Sequence, residues 1–240
     1  MKAILFAIFA FFTINTKAQE LLTPGRNSFD AKWLQNSSYQ MTWNILRDTT
    51  KMEIGKMVTE VKTYQNTVAV ITTVHLTNSN DLWVDSTIAN VNTLQPVRHA
   101  SYNAQRDMVL NFAKVVTGFY YDKIKNQNTI INDTTKSAYF DSNIYPVLIG
   151  WLPLEEGYKQ DISIYDYNLL GKIGVIKASV KEVKTGKLKN KDVWIVTVTD
   201  EIGTGGDAIT TYYFDKTDRK LLLQEINAAG RKMLLERIEE

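Results

Sequence analysis

From Tyr39 onward the chain is divided into short runs in which apolar residues fall on alternate positions, each run ending at a cluster of turn formers. Val68, Val70, Thr72, Val74 and Leu76 alternate with Thr67, Thr73, His75 and Thr77. A period of two places all members of one set on one face of a strand, so each run buries one side. Runs of the same kind cover 57–64, 83–91, 97–102, 108–112 and 115–121. Later ones cover 158–165, 175–183, 193–199, 209–214, 221–226 and 233–238. Between them stand the turn clusters 78–81, 187–192, 203–207 and 215–218. Many short strands with short connections predict an all-β antiparallel meander closed into a barrel or half-barrel, not βαβ units.

The strands fall into two halves. Glu60-Val61-Lys62-Thr63 recurs as Glu182-Val183-Lys184-Thr185, and the segment 66–112 aligns with 191–237 without a gap. Arg106 and Met108 then fall on Arg231 and Met233, and turns meet turns. The pattern allows two repeats, 37–122 and 158–238, within one domain over 37–240. One short helix is expected between them. Asp141-Ser142-Asn143 reads as its start, and Ile144, Val147, Leu148, Ile149, Trp151 and Leu152 make it apolar nearly all round. Pro146 is tolerated in a first turn, and Pro153 and Gly157 mark the stop. Such a helix cannot lie on a wet surface, so 142–152 is expected to plug one opening of the sheet.

Residues 1–18 have the form of a secretory signal. Met1 and Lys2 start it, Ala3 to Phe12 is an unbroken apolar run, and Thr16-Lys17-Ala18 offers small residues for cleavage before Gln19. The run is too short for a membrane-spanning helix, which needs about 20 residues. Residues 19–36, with Pro24-Gly25, read as an irregular lead-in. Loss of Lys2 and Lys17 brings the 28 basic residues level with the 26 acidic ones. A balanced chain lacks the electrostatic footprint of a nucleic-acid binder. There is no cysteine. The core alone must therefore stabilise an exported fold, and thiolate metal sites, thiol catalysis and lipid modification at cysteine are excluded.

Candidate chemistry is sparse. The two histidines are His75 and His99. His75 sits on the polar side of its strand and reads as solvated, and neither is expected to be catalytic or to hold a metal. In the repeat alignment they fall on Asp200 and Gln224. Lys184-Thr185-Gly186 lacks the Ser-x-x-Lys partner of penicillin-recognising enzymes and reads as a hairpin end. Gly203-Thr204-Gly205-Gly206-Asp207 is followed by a strand rather than a helix and reads as a turn, not a phosphate loop. Glu155-Glu156 and the pair Asp215, Asp218 read as solvated turn charges. Trp43, Trp83 and Trp194 lie in strands, where a minority of aromatic side chains can line a pocket. No catalytic residue, metal or cofactor is assigned.

The second half carries further motifs: Leu152-Pro153-Leu154-Glu155-Glu156-Gly157-Tyr158, the hairpin Glu182 to Gly186, and Tyr212-Tyr213-Phe214-Asp215-Lys216-Thr217-Asp218-Arg219 with Gly230 in the last turn. In these it resembles a family of exported Gram-negative proteins catalogued only as a domain of unknown function. The first half is similar in layout only. The resemblance implies a β-barrel-like fold and an envelope address, and it implies no catalytic residues. Two functions follow as expectations. The first is a periplasmic or secreted envelope protein that binds an apolar or amphipathic small molecule. The second is a structural or protein-interaction module with a filled core and an edge that pairs with another envelope protein. An integral outer-membrane barrel is disfavoured because Lys62, Lys123, Lys177 and Lys184 interrupt the strands.

Overall fold

The computed structural model describes residues 20–26, 28–202 and 208–239. Residues 1–18, read above as a signal, and 203–207, read as a turn, lie outside the described residues. The first half forms β1 (Ser37–Arg47), β2 (Thr50–Thr63), β3 (Thr67–Leu76), β4 (Leu82–Asn90), β5 (Pro96–Tyr102), β6 (Arg106–Asn111), β7 (Val115–Asp122) and β8 (Gln127–Thr134). A two-residue strand β9 (Phe140–Asp141) and the helix α1 (Tyr145–Trp151) follow. The second half forms β10 (Gln160–Tyr167), β11 (Ile173–Leu188), β12 (Lys191–Asp200), β13 (Ala208–Asp215), β14 (Leu221–Ala228) and β15 (Arg231–Arg237).

All fifteen strands belong to one sheet, in the order β8 to β1, then β15 down to β9. Each half is a meander, and the halves join where β1 meets β15, with Met41 opposite Arg237 and Leu46 opposite Lys232. Pairing is antiparallel except between β9 and β10. The gapless alignment that sets Arg106 on Arg231 lays β3–β6 on β12–β15, strand for strand, and the Glu-Val-Lys-Thr match, three residues out of that register, sets β2 on β11.

The sheet does not close by backbone pairing between its two edges, so the architecture is barrel-like but open. Side chains fill the seam instead. Phe112, Tyr139 and Tyr165 pack mutually at ring-centroid distances of 5.1 to 5.8 Å. The Tyr165 hydroxyl donates to Asp133 Oδ2 on β8 at 3.0 Å, and the Tyr139 hydroxyl donates to the Ala113 carbonyl at 3.3 Å. Leu22 in the lead-in makes a single bridge to Ile162, beside β9 on the same side of β10.

The helix is where the apolar run places it. Tyr145, Leu148, Ile149, Gly150 and Trp151 are buried, and Pro146 falls in the first turn. The helix joins the main core, which draws on both halves of the sheet. Trp151 packs on Phe29 of the lead-in, ring centroids 6.3 Å apart. Gly150 lets the helix lie directly on β13: a Cβ there would stand 2.9 Å from the Phe214 ring.

Two local expectations are corrected. Asp141-Ser142-Asn143 does not cap the helix, which starts after Ile144 without a side-chain cap. Asp141 is extended in β9 opposite Tyr165, and its carboxylate is committed elsewhere. Lys184-Thr185-Gly186 is not a hairpin end. It lies inside β11, paired with Ile195, Trp194 and Val193, and the turn is made by Lys189 and Asn190. Lys189 takes the left-handed conformation there, with φ 53°.

Candidate functional site

The sheet encloses a cavity of about 420 Å³ lined by residues of both halves and by Pro146 and Val147 of α1. That size is ordinary for a small-molecule site, which spans roughly 300–1,000 Å³. Its lining divides into two walls. One wall is apolar and comes from Trp43, Met57, Val147, Ile226 and Leu235, among others. The other is polar and is built on β4–β6, completed by Asp141 of β9 and Asp166 of β10.

Register explains the polar wall. Thr87 lies opposite His99, and Asp85 opposite Ser101. On β6, Leu110 stands opposite His99 and Met108 opposite Ser101. Trp83, Asp85 and Thr87 therefore share one face of β4, and that face meets the side of β5 that carries His99 and Ser101. On β2 and β3 the inward positions are mostly apolar, with Met57, Val61, Val70 and Val74 flanking the pair Thr59 and Thr72, whereas here Asp85, Thr87, His99 and Ser101 make the face polar. A shift of register between Ile88 and Ala89, two residues before His99 reaches its partner, adjusts the pairing at the end of the wall.

His99 is the centre of the cluster, only 5% exposed. Its Nδ1 lies 2.8 Å from Asp141 Oδ2, so Nδ1–H donates and the carboxylate accepts. The Thr87 hydroxyl donates to the same carboxylate oxygen. Asn143 Nδ2 in turn donates to Thr87 Oγ1 at 3.1 Å, and Ser142 Oγ donates to Asp166 Oδ1 at 2.8 Å. Burial pushes the His99 pKa down, but the Asp141 charge and hydrogen bond, with Asp85 and Asp166 nearby, carry it above its ordinary value. Burial raises the Asp166 pKa, against the Ser142 hydrogen bond.

Four buried polar atoms of this wall have no hydrogen-bond partner: Trp83 Nε1, Asp85 Oδ1, His99 Nε2 and Arg106 Nε. Trp43 Nε1, on the facing wall, is a fifth. Arg106 is held by Ser101, its Nη2 donating to Oγ at 3.1 Å, and its guanidinium lies 6.0 Å from the Trp83 ring. Buried polar groups are normally satisfied, so several orphans around one cavity mark a place where a ligand or water supplies the partner.

Of the residues considered from sequence, His75 is exposed on β3 and takes no part. His99 enters the cluster, and Gln224, its counterpart in the repeat alignment, also faces the cavity. Trp43 and Trp83 line it, whereas Trp194 packs against Lys216 and Arg219. Glu155, Glu156 and Asp218 are exposed and Asp215 is partly so, all in turns or at turn edges. Sequence reasoning missed Asp85, Thr87, Asp141 and Arg106. The available signal was the phase of β4: Trp83, Asp85 and Thr87 occupy the alternate positions that an inward face requires. Among the described residues no group of His, Asp and Glu has the arrangement to hold a metal ion, and no helix is long and apolar enough to cross a membrane.

The fold has a counterpart in a crystal structure of a beta-barrel-like protein of DUF1849 from Brucella abortus. The match has a TM-score of 0.53 at 9% identity and covers 86% of this chain and 97% of that one. At that identity the likeness concerns fold alone. No curated protein matches the chain. The profile described as "Protein of unknown function (DUF3108)" matches residues 38–236, from the start of β1 almost to the end of β15, so both halves of the sheet and not the second alone carry the signature, and the chain belongs to the DUF3108 family.

Proposed function

We propose that this protein is exported to the cell envelope and there holds an apolar or amphipathic small molecule inside its open barrel. The observation that carries the reading is the cavity of about 420 Å³ with one apolar and one polar wall. A module whose role was to present an outer edge would gain stability by filling that space, because an unfilled core loses dispersion contacts along its whole lining. The envelope address rests on the form of residues 1–18.

Binding fits the polar wall better than catalysis does. The hydroxyl nearest His99 is that of Thr87, and it is engaged by Asp141 on the Nδ1 side of the ring. His99 Nε2, the nitrogen left over, has no hydroxyl within hydrogen-bond distance to activate. Native mass spectrometry of the protein purified without detergent tests the proposal. A co-purifying amphiphile, released on unfolding and diminished when Val147→Trp fills the cavity, is the expected result. A protein that is empty in every preparation and takes up no amphiphile when offered one would overturn it.

A further inference from the structure

We infer that the occupant of the cavity is an uncharged amphiphile, its acyl chain on the apolar wall and an ester- or amide-like head bearing a hydroxyl against Trp83, Asp85, His99 and Arg106. The inference rests on the ligand-binding reading above and assigns the chemistry of the head.

The unpartnered atoms set the hydrogen-bonding requirement. Trp83 Nε1 and Arg106 Nε are donors only. His99 Nε2 is a donor whenever the ring is charged, since Nδ1–H is already given to Asp141. Asp85 Oδ1 is an acceptor. The head must therefore accept several hydrogen bonds and donate at least one. A carbonyl or ester oxygen next to a hydroxyl meets that need.

The charges set the second requirement. Arg106, and His99 when it is protonated, face the carboxyl groups Asp85, Asp141 and Asp166. Acids are at least as numerous as bases, and Asp141 already matches His99. A carboxylate or phosphate head would add a further negative charge to a low-dielectric cluster that has none to spare. A quaternary ammonium head accepts no hydrogen bond and would leave Trp83 Nε1 and Arg106 Nε unpartnered. An uncharged head avoids both penalties.

The test is displacement of the apolar dye N-phenylnaphthylamine from the wild-type protein by three probes with the same twelve-carbon chain: monolaurin, laurate and dodecyltrimethylammonium. Monolaurin is expected to displace the dye at a concentration about tenfold lower than either charged probe, the scale of one buried polar group gaining its partner. Arg106→Leu should narrow the preference over dodecyltrimethylammonium and widen that over laurate while the dye still binds, and Asp85→Asn should improve laurate most. The wild-type comparison stands whether or not a variant folds. Equal displacement by all three, or preference for a charged probe, overturns the assignment of the head but leaves ligand binding intact. Failure of the wild type to take up either dye or monolaurin overturns both.

Discussion

His99 Nδ1 and Asp141 Oδ2 lie 2.8 Å apart in a setting where both side chains are almost wholly buried, although the residues come from β5 and from the short strand that precedes the helix. The pair ties the polar wall of the first half to the segment leading into the plug. A buried pair of this kind is costly to break from one side, because the remaining charge keeps its desolvation penalty and loses its partner.

Asp141→Asn should accordingly destabilise the fold by about 3–5 kcal/mol, and less at high pH. The sign follows from the direction of the His99 shift. Its folded pKa lies above the unfolded value of 6.5, so the folded state holds the proton more tightly. The resulting stabilisation is complete below pH 6.5 and is lost as pH rises through the folded pKa. Chemical denaturation at a series of pH values should show the wild type losing stability across that window, and His99→Gln should flatten the curve there. A wild-type stability that rises with pH through the window, relative to His99→Gln, would contradict the pairing.

Trp151→Ala should destabilise by about 3–5 kcal/mol, because an enclosed aromatic leaves both lost contacts and a cavity. Trp151 is 6% exposed and packs against Phe29 while the helix fills the core between the two halves. Urea denaturation is the measurement, and a loss under 1 kcal/mol (about the scale of a surface substitution) would mean that the helix does not plug the sheet.

At the preceding residue the opposite change is harmful. Gly150→Ala adds one methyl group where the Phe214 ring, itself buried and stacked on Tyr212 at 11°, already occupies the space. A loss of about 1–3 kcal/mol is expected from overpacking. Adding Phe214→Leu should recover part of it, so the double variant loses less than the two single losses combined.

Export makes its own prediction. Protein recovered from the envelope should begin at Gln19, and N-terminal sequencing that reads Met1 in exported material would remove the basis for the envelope address.

Strands with one buried face were legible because alternation survives in single sequences: β3 and β13 are read directly from Val68, Val70 and Val74, and from Thr210, Tyr212 and Phe214. β8 was not. Only Ile131 is buried in it, and Asn128, Asn132 and Asp133 look like turn formers because an edge strand need not keep one face apolar. The helix was visible from its all-round apolarity, but its start was misplaced, since Asp, Ser and Asn suit a cap and a buried polar cluster equally well. Only the pairing of β4 with β5 and of β9 with β10 decides which role Asp141 plays, and pairing register is a long-range property. Of the cavity only the expectation of a pocket lined by strand tryptophans, met by Trp43 and Trp83, was legible; the rest of its lining was not, because its walls come from strands far apart in the chain.

The central claim, that the interior of the sheet receives a ligand, is most directly tested by the indole N–H resonances of the five tryptophans during titration with monolaurin. Trp43 Nε1 and Trp83 Nε1 are unpartnered side-chain atoms of residues on opposite walls of the cavity, whereas Trp194 lies outside it beneath Lys216. The account predicts saturable shifts of the Trp43 and Trp83 signals with the Trp194 signal unmoved. Monolaurin that leaves Trp43 and Trp83 unchanged, or that shifts all five in proportion without saturation, would contradict it.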